Sequence, residues 1–144
     1  MRRFVLLLIA CAATACASAP TRQVVAPAGA TTIAPYSPGI RSGDLLFLSG
    51  QIGMTGGALV PGGIAAETRQ ALANMRTILD AAGLTPADVL KCTVFLVDMA
   101  EYEAMNAAYG DFFREAPPAR SAVAVAALPR NARVEIECIS RARQ

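Results

Sequence analysis

The segment of residues 118–137, close to the end of the chain, restricts the fold more than any other part of the sequence. It reads PARSAVAVAALPRNARVEIE, with runs of small and β-branched residues on either side of a short turn-forming sequence. Runs of this kind predict β-strands, which we place at residues 121–128 and 133–140. Because the connection between them is short, we expect the two strands to pair as an antiparallel hairpin.

The second of these strands is predicted to have one apolar face and one charged face, because side chains alternate along a strand. The apolar face consists of Val134, Ile136 and Cys138, and the charged face of Glu135 and Glu137. We expect the apolar face to pack against helices. The charged face, with alanines on the partner strand beside it, is suited to contact with another subunit.

An arginine and a glutamate in this segment are candidate functional residues. Arg120 can bind a carboxylate, and Glu135 can accept a proton, so together they are the parts of a small hydrolytic site. In a simple hairpin they are about six residues apart along the ladder, or about 20 Å. That distance is too long for one small substrate in a single chain. Either the two residues do not cooperate, or they meet across a subunit boundary.

The rest of the chain predicts a single domain of strands and helices, within the size that 144 residues allow. Apolar spacing predicts strands at residues 44–51 and 91–97 and helices at residues 64–82 and 100–113. An apolar stripe on the second helix, which we expect in the core, consists of Tyr102, Met105, Tyr109 and Phe112. This order of elements predicts an α+β fold with two helices on one face of a sheet.

Residues 1–16 are predicted to be an export signal, because two arginines precede an apolar run that is followed by small residues. The run is much shorter than the roughly 20 residues needed to span a bilayer. Two alternatives remain for the mature protein in the periplasm. It is lipid-anchored to the envelope membrane through Cys16 or Cys11, or it is released without a lipid.

An Ala/Pro-rich segment at residues 17–30 is predicted to link the signal to the domain, which we place at residues 31–144. Part of this linker, near residues 23–25, is an alternative first strand of the sheet.

Composition excludes several classes of function. Without Arg2 and Arg3 the 13 basic residues fall to 11, equal to the number of acidic residues, and a neutral domain argues against nucleic acid as a partner. The absence of histidine excludes a Ser-His-Asp triad, a Cys-His dyad and histidine metal sites. We expect Cys92 and Cys138 to be buried structural cysteines. A disulfide between them is the alternative, although their spacing does not support it.

Several segments of the sequence resemble the RidA/YjgF/UK114 family. They are PARSAVAVAAL followed by VEIE, APY at residues 34–36, LSGQI at residues 48–52, QALANM, DVLKCTVFLVDM and MNAAYGDFF. They cover the chain from about residue 31 to its end, in the family's order. The predicted export is a departure, because most relatives are cytosolic.

The resemblance implies a chorismate-mutase-like (bacillus type) α+β domain with a mixed sheet, which forms a homotrimer with clefts between subunits. It also implies hydrolytic deamination of enamine and imine acids, such as 2-aminoacrylate and 2-iminopropanoate, to 2-oxo acids and ammonia. No cofactor and no metal are needed, and the partner is a small imino or enamino acid. The alternative is a non-catalytic trimer that uses the same cleft to bind a small carboxylate or to act as a chaperone-like module.

The resemblance implies roles for individual residues as well. Arg120 would bind the substrate carboxylate, and Glu135 would hold and polarise the water that attacks the imine carbon. The further pocket residues would be Tyr36, Gly50 and Asn106. Ala122 stands where many family members have a cysteine, which leaves the pocket size and the substrate preference open.

Overall fold

The computed structural model describes residues 21–32 and 34–142, which fold into β-sheet and two α-helices. The strands are β1 (Arg22–Val25), β2 (Gly39–Ser42), β3 (Leu45–Ile52), β4 (Met54–Thr55), β5 (Ala58–Leu59), β6 (Val89–Leu96), β7 (Ala119–Ala124) and β8 (Val134–Arg141). The helices are α1 (Gly63–Ala81) and α2 (Tyr102–Phe112). Short 3-10 turns lie at Pro86–Asp88, Met99–Glu101 and Pro129–Asn131.

Six of the strands form one mixed sheet in the order β1-β2-β3-β8-β6-β7, and β4 and β5 form a separate small hairpin. Neighbouring strands of the large sheet are antiparallel except for β6 and β7, which are parallel. Helix α1 packs on β3 and β8 and lies beside α2. The predicted α+β fold with two helices on one face of the sheet is therefore confirmed.

The N-terminal edge of the sheet lies within the segment that we predicted to be a linker. Residues 22–25 form β1, which pairs with β2 and confirms the strand allowed near residues 23–25. The predicted export signal, with Cys11 and Cys16, lies outside the described residues. Within the part of the chain that the structure describes, neither helix has the length and apolar character needed to cross a membrane.

The core lies between the sheet and α1, whose apolar residues recur at three- and four-residue steps and so fall on one helix face. The buried residues of this face include Ile64, Leu72, Met75 and Leu79, and they pack against sheet residues such as Leu46, Val94 and Ile136. Burial of each large apolar side chain contributes roughly 1.5–3 kcal/mol. The helix stops before Gly83, whose φ of 70° is in the left-handed region that favours glycine.

The predicted hairpin between the last two strands is wrong, because β6 lies between β7 and β8. The cause is α2, which connects the end of β6 to the start of β7. A helical crossover returns the chain to the same end of the sheet, and the two strands that it joins are therefore parallel. Local strand patterns identify both strands of residues 118–137 but not the strand between them.

The first of these strands is also shorter than predicted. It ends at Ala124, and residues 125–133 cross the end of β6 to reach β8. The crossing is anchored at both ends, since the Val125 N–H donates to the Leu96 carbonyl at 2.8 Å and the Val97 N–H to the Arg133 carbonyl at 3.1 Å.

The alternation predicted for β8 is confirmed. Val134, Ile136 and Cys138 are buried on the helix side, while Glu135 is half-buried and Glu137 exposed on the other side. The neighbours of Glu135 are Ile52 and Phe95 rather than the expected alanines, because β3 and β6 flank β8.

The two domain cysteines form a disulfide across the centre of the sheet. Cys92 of β6 and Cys138 of β8 are directly opposite each other, with Cα atoms 4.1 Å apart, and their sulfur atoms are bonded. The exposed fractions are 0% and 3%, so the expected burial is confirmed. The pairing could not be predicted from cysteine spacing, because it depends on the register between β6 and β8, which brings residues 46 positions apart into contact.

We predict that this disulfide is resistant to reductant in the folded protein, because burial blocks the approach of a thiolate. Non-reducing peptide mapping should recover one peptide pair that joins Cys92 to Cys138, and dithiothreitol should separate it only after denaturant is added. The paired change Cys92→Ala and Cys138→Ala should lower the free energy of unfolding by roughly 2–4 kcal/mol. Alkylation of Cys92 and Cys138 in the folded protein without denaturant or reductant would contradict the prediction.

Candidate active site

Glu135 lies at a surface cavity of about 580 Å³ at the end of β3. The lining residues include Tyr36, Ser49, Gly50, Ile52, Asn74 and Pro129. Tyr36 is 45% exposed and lies in the connection before β2. The cavity therefore brings together three of the predicted site residues, namely Glu135, Gly50 and Tyr36.

A bulge in β3 makes the space for the Glu135 side chain. Between the pairs Leu48–Cys138 and Gln51–Ile136, Ser49 and Gly50 together oppose the single residue Glu137. A Cβ atom at residue 50 would overlap the Glu135 carboxylate. A side chain at residue 50 would therefore displace the Glu135 carboxylate, and glycine is also suited to expose its own N–H.

The Glu135 carboxyl has an unusual electrostatic setting. Burial raises its pKa above the ordinary value, and the negative charge of Glu137 adds to the rise. Within the described part of the chain, no hydrogen bond or ion pair occupies its carboxylate oxygens. Such a group is suited to bind water and to accept a proton from it.

Asn74 of α1 was not predicted as a site residue, although it lines the cavity. Its amide donates to the carbonyls of Ile52 and Met54, at 3.1 and 2.9 Å, and so fixes the end of β3 and the start of β4 against the helix. One signal was present in the sequence, namely that Asn74 is a polar residue directly before Met75 in the buried stripe of α1. Its two donors are used within the fold, which makes Asn74 a support of the cavity wall.

Arg120 lies at a different place, on β7 against α2. Its Nη2 donates to the Tyr102 hydroxyl at 3.1 Å, and its guanidinium carbon lies 4.6 Å from the centre of the Tyr109 ring. The tyrosines were predicted to be core residues, and Tyr109 is buried as expected. Their contact with Arg120 was not predicted.

Arg120 and Glu135 point to opposite faces of the sheet within this chain. Arg120 is in register with Cys92, which is in register with Cys138, so all three face the helices. Glu135 is three residues before Cys138 on the same strand and therefore faces the other side. As predicted, a single chain does not bring Arg120 and Glu135 together. The cause is that they lie on opposite faces of the sheet, and not a separation of about 20 Å along a hairpin.

Asn106 is placed with Arg120 and not with the Glu135 cavity. It is on α2, four residues after Tyr102 and three before Tyr109, which puts the three side chains on one helix face. Its Oδ1 atom is buried and has no hydrogen-bond partner among the described residues. Ala122, two residues after Arg120, is half-buried on the same side of β7. The predicted site residues thus form two half-sites on one protomer.

Neither half-site has the donor set of a metal centre. In the described ranges, no group of three or more Cys, Asp and Glu side chains is close enough to hold a metal ion. The chemistry available is that of a cationic fork, a carboxylate, backbone N–H groups and tyrosine hydroxyls.

Comparison with known proteins connects this geometry to a family. Residues 26–142 match the family model described as Endoribonuclease L-PSP. A 2-iminobutanoate/2-iminopropanoate deaminase from Capra hircus is 43% identical over 85% of this chain and 92% of its own.

Two solved structures with the same fold match this chain over nearly all of their own length. A Yersinia pestis protein of the conserved Rid family superposes with a TM-score of 0.80, at 38% identity, over 84% of this chain and 99% of that one. TdcF of E. coli with bound serine superposes with a TM-score of 0.77, at 36% identity, over 85% and 99%. The chain therefore belongs to the Endoribonuclease L-PSP family, which is the RidA/YjgF/UK114 (Rid) family that its sequence resembles.

Proposed function

We propose that this protein hydrolyses small 2-imino acids to 2-oxo acids and ammonia. The observation that carries the proposal is the Glu135 carboxyl, which lies at an open cavity with a raised pKa and with no hydrogen bond or ion pair on its oxygens within the described residues. The 43% identity to a deaminase of 2-iminobutanoate and 2-iminopropanoate supports the same reaction for this chain.

The reaction is a hydrolysis without net oxidation or reduction. An enamine acid such as 2-aminoacrylate first tautomerises to the imine. Water then adds to the C=N carbon while Glu135 accepts a proton from the water and the nitrogen takes a proton from solvent, which gives a carbinolamine and a protonated Glu135. Glu135 returns its proton to the nitrogen, the C–N bond breaks, and ammonia leaves. The carbinolamine hydroxyl loses its proton to solvent as the carbonyl of the 2-oxo acid forms. Arg120 holds the carboxylate throughout, through the planar fork of its guanidinium.

A homotrimer with clefts between subunits would complete this site. In such an assembly Arg120 and Asn106 of one subunit meet Glu135, Gly50 and Tyr36 of a neighbour. The helix-free face of the sheet supports the proposal, because it exposes the apolar side chains of Leu45, Phe47 and Val123. A second copy of the chain would cover this face and remove apolar surface from water.

We also propose that the reaction takes place outside the cytoplasm, in a protein released into the periplasm or anchored there through Cys16 or Cys11. The disulfide between Cys92 and Cys138 supports this location, since disulfides persist in oxidising compartments.

A non-catalytic trimer that binds a small carboxylate, or acts as a chaperone-like module, is the second candidate. Arg120 would suffice for it, whereas a carboxyl with a raised pKa beside a cavity is an added feature that a carboxylate-binding site does not need. The family name suggests ribonuclease activity, but the neutral domain and the absence of histidine in the sequence disfavour it.

The purified protein should accelerate the loss of 2-iminopropanoate that an amino-acid oxidase generates in the assay. Arg120→Ala should reduce kcat/KM by about 100-fold or more, because it removes the charged hydrogen bonds to the carboxylate. Glu135→Gln should reduce kcat by about 100- to 10,000-fold with little change in substrate binding. Arg114→Ala is the matched control, because it removes an exposed arginine paired with Asp111. A wild-type protein that gives no acceleration would reject the enzymatic function.

Subunit mixing should show whether the site is shared. Arg120→Ala and Glu135→Gln homotrimers should each be inactive, but co-refolding at equal amounts should restore activity to about a quarter of the wild-type sites. A shared site is intact only when its Arg120 comes from a Glu135→Gln subunit and its Glu135 comes from an Arg120→Ala subunit. Random mixing at equal amounts produces this combination at about one site in four. If both residues acted within one subunit, no mixed trimer would contain an intact site and activity would stay at the level of the single variants.

The pH dependence of kcat/KM should report the Glu135 carboxyl. Activity needs the ionised form, so it should fall as the pH decreases through the raised pKa, at a higher pH than for an ordinary glutamate of pKa about 4.3. Glu137→Gln removes the second cause of the rise and should move the acidic limb to lower pH. The limb should stay above the ordinary value, because burial remains the larger cause. Measured rates need subtraction of spontaneous imine hydrolysis, and a limb at or below about pH 4.3 would contradict the assignment.

A further inference from the structure

The guanidinium of Arg120 is held by aromatic residues instead of by an acid. One hydrogen bond joins its Nη2 to the Tyr102 hydroxyl, and the group lies over the Tyr109 ring at 4.6 Å and near the Tyr102 ring at 5.7 Å. Cation–π contacts of this length restrain a guanidinium without neutralising it. The residue is half-buried, so the restraint acts where solvent screening is reduced.

Three other arginines among the described residues are paired with carboxylates. These ion pairs are Arg76 with Asp80, Arg114 with Asp111 and Arg133 with Glu101, at 2.9, 3.2 and 2.9 Å. Among the described residues, no carboxylate lies within 4.0 Å of the Arg120 guanidinium. The Arg120 charge is therefore available to an incoming anion.

We propose that Tyr102 and Tyr109 are positioning residues, which hold the Arg120 guanidinium in the orientation that binds the substrate carboxylate. This inference rests on the proposed function, and it assigns to α2 a part in substrate binding. Tyr102 fixes one nitrogen of the fork through its hydroxyl, and Tyr109 supports the plane of the fork through its ring. The remaining N–H groups stay available for two parallel hydrogen bonds to a carboxylate.

Helix geometry gives the two tyrosines a common face. They are seven residues apart on α2, which is two helical turns, and β7 places Arg120 against that face. The Tyr109 hydroxyl is buried, and burial raises its pKa to about 12 although the Arg120 charge opposes the rise. The Tyr109 side chain therefore stays neutral at physiological pH and does not compete with the substrate carboxylate for the cation.

The two tyrosines are expected to act through different groups, which gives the test its design. Tyr102→Phe keeps the ring and removes the hydrogen bond, so KM for 2-iminopropanoate should rise about five- to tenfold while kcat stays within about twofold. Tyr109→Leu removes the ring face and should raise KM to a similar extent. Tyr109→Phe keeps the ring and should raise KM much less than Tyr109→Leu. Thermal unfolding of each variant, measured in the assembled protein, controls for general loss of structure.

Binding of 2-oxobutanoate, followed by calorimetry or NMR, separates this inference from the proposed reaction. If the wild-type protein binds 2-oxobutanoate without deaminase activity, the reaction fails but the inference stands as long as Tyr102→Phe weakens binding about five- to tenfold. Equal affinity of the wild type and Tyr102→Phe would overturn the inference. It would also be overturned by a wild-type protein that binds no 2-oxobutanoate, or by Tyr102→Phe lowering kcat with KM unchanged.

Discussion

The position of β6 between β7 and β8 is the constraint on which the functional geometry depends. Because α2 returns the chain to the start of β7, the parallel pair puts Arg120 in the same row as Cys92 and Cys138. That row faces the helices. Glu135 is offset from Cys138 by three positions, an odd number, so its side chain faces away from the helices. The disulfide joins β6 to β8 in this row, so the covalent link fixes the register that separates the two half-sites.

Each half-site is organised by a helix. On the Glu135 side, Asn74 of α1 holds the end of β3 and the start of β4 through two backbone carbonyls, and the bulge at Gly50 leaves the space that the carboxylate fills. On the other side, α2 supplies the tyrosines that contact Arg120. Regular elements hold side chains more precisely than loops do, which favours a site that needs fixed angles.

The sequence predicts the parts of this arrangement that depend on local periodicity. Alternation along residues 134–138 assigned Glu135 to the helix-free face, and apolar spacing found α1 and α2. Local periodicity could not predict contacts between residues distant in sequence. These contacts are the insertion of β6 between two successive strands, the pairing of Cys92 with Cys138, and the contact of Arg120 with α2. Tyr102 and Tyr109 show why. The helical period identifies the face of α2 that is covered, but it does not identify Arg120 as the residue that covers it.

In the proposed shared site, separation of the half-sites would make catalysis depend on assembly through two independent requirements. Tyr102 and Tyr109 contact Arg120 within a protomer, whereas its distance from the Glu135 of another copy would depend on how subunits pack. The helix-free face of the sheet, which exposes Phe47 on β3, is the apolar face that would drive packing. Glu135 lies on the same face. Burial of that face would bring the neighbour's surface towards the cavity, so the same apolar contact would assemble the oligomer and close the site.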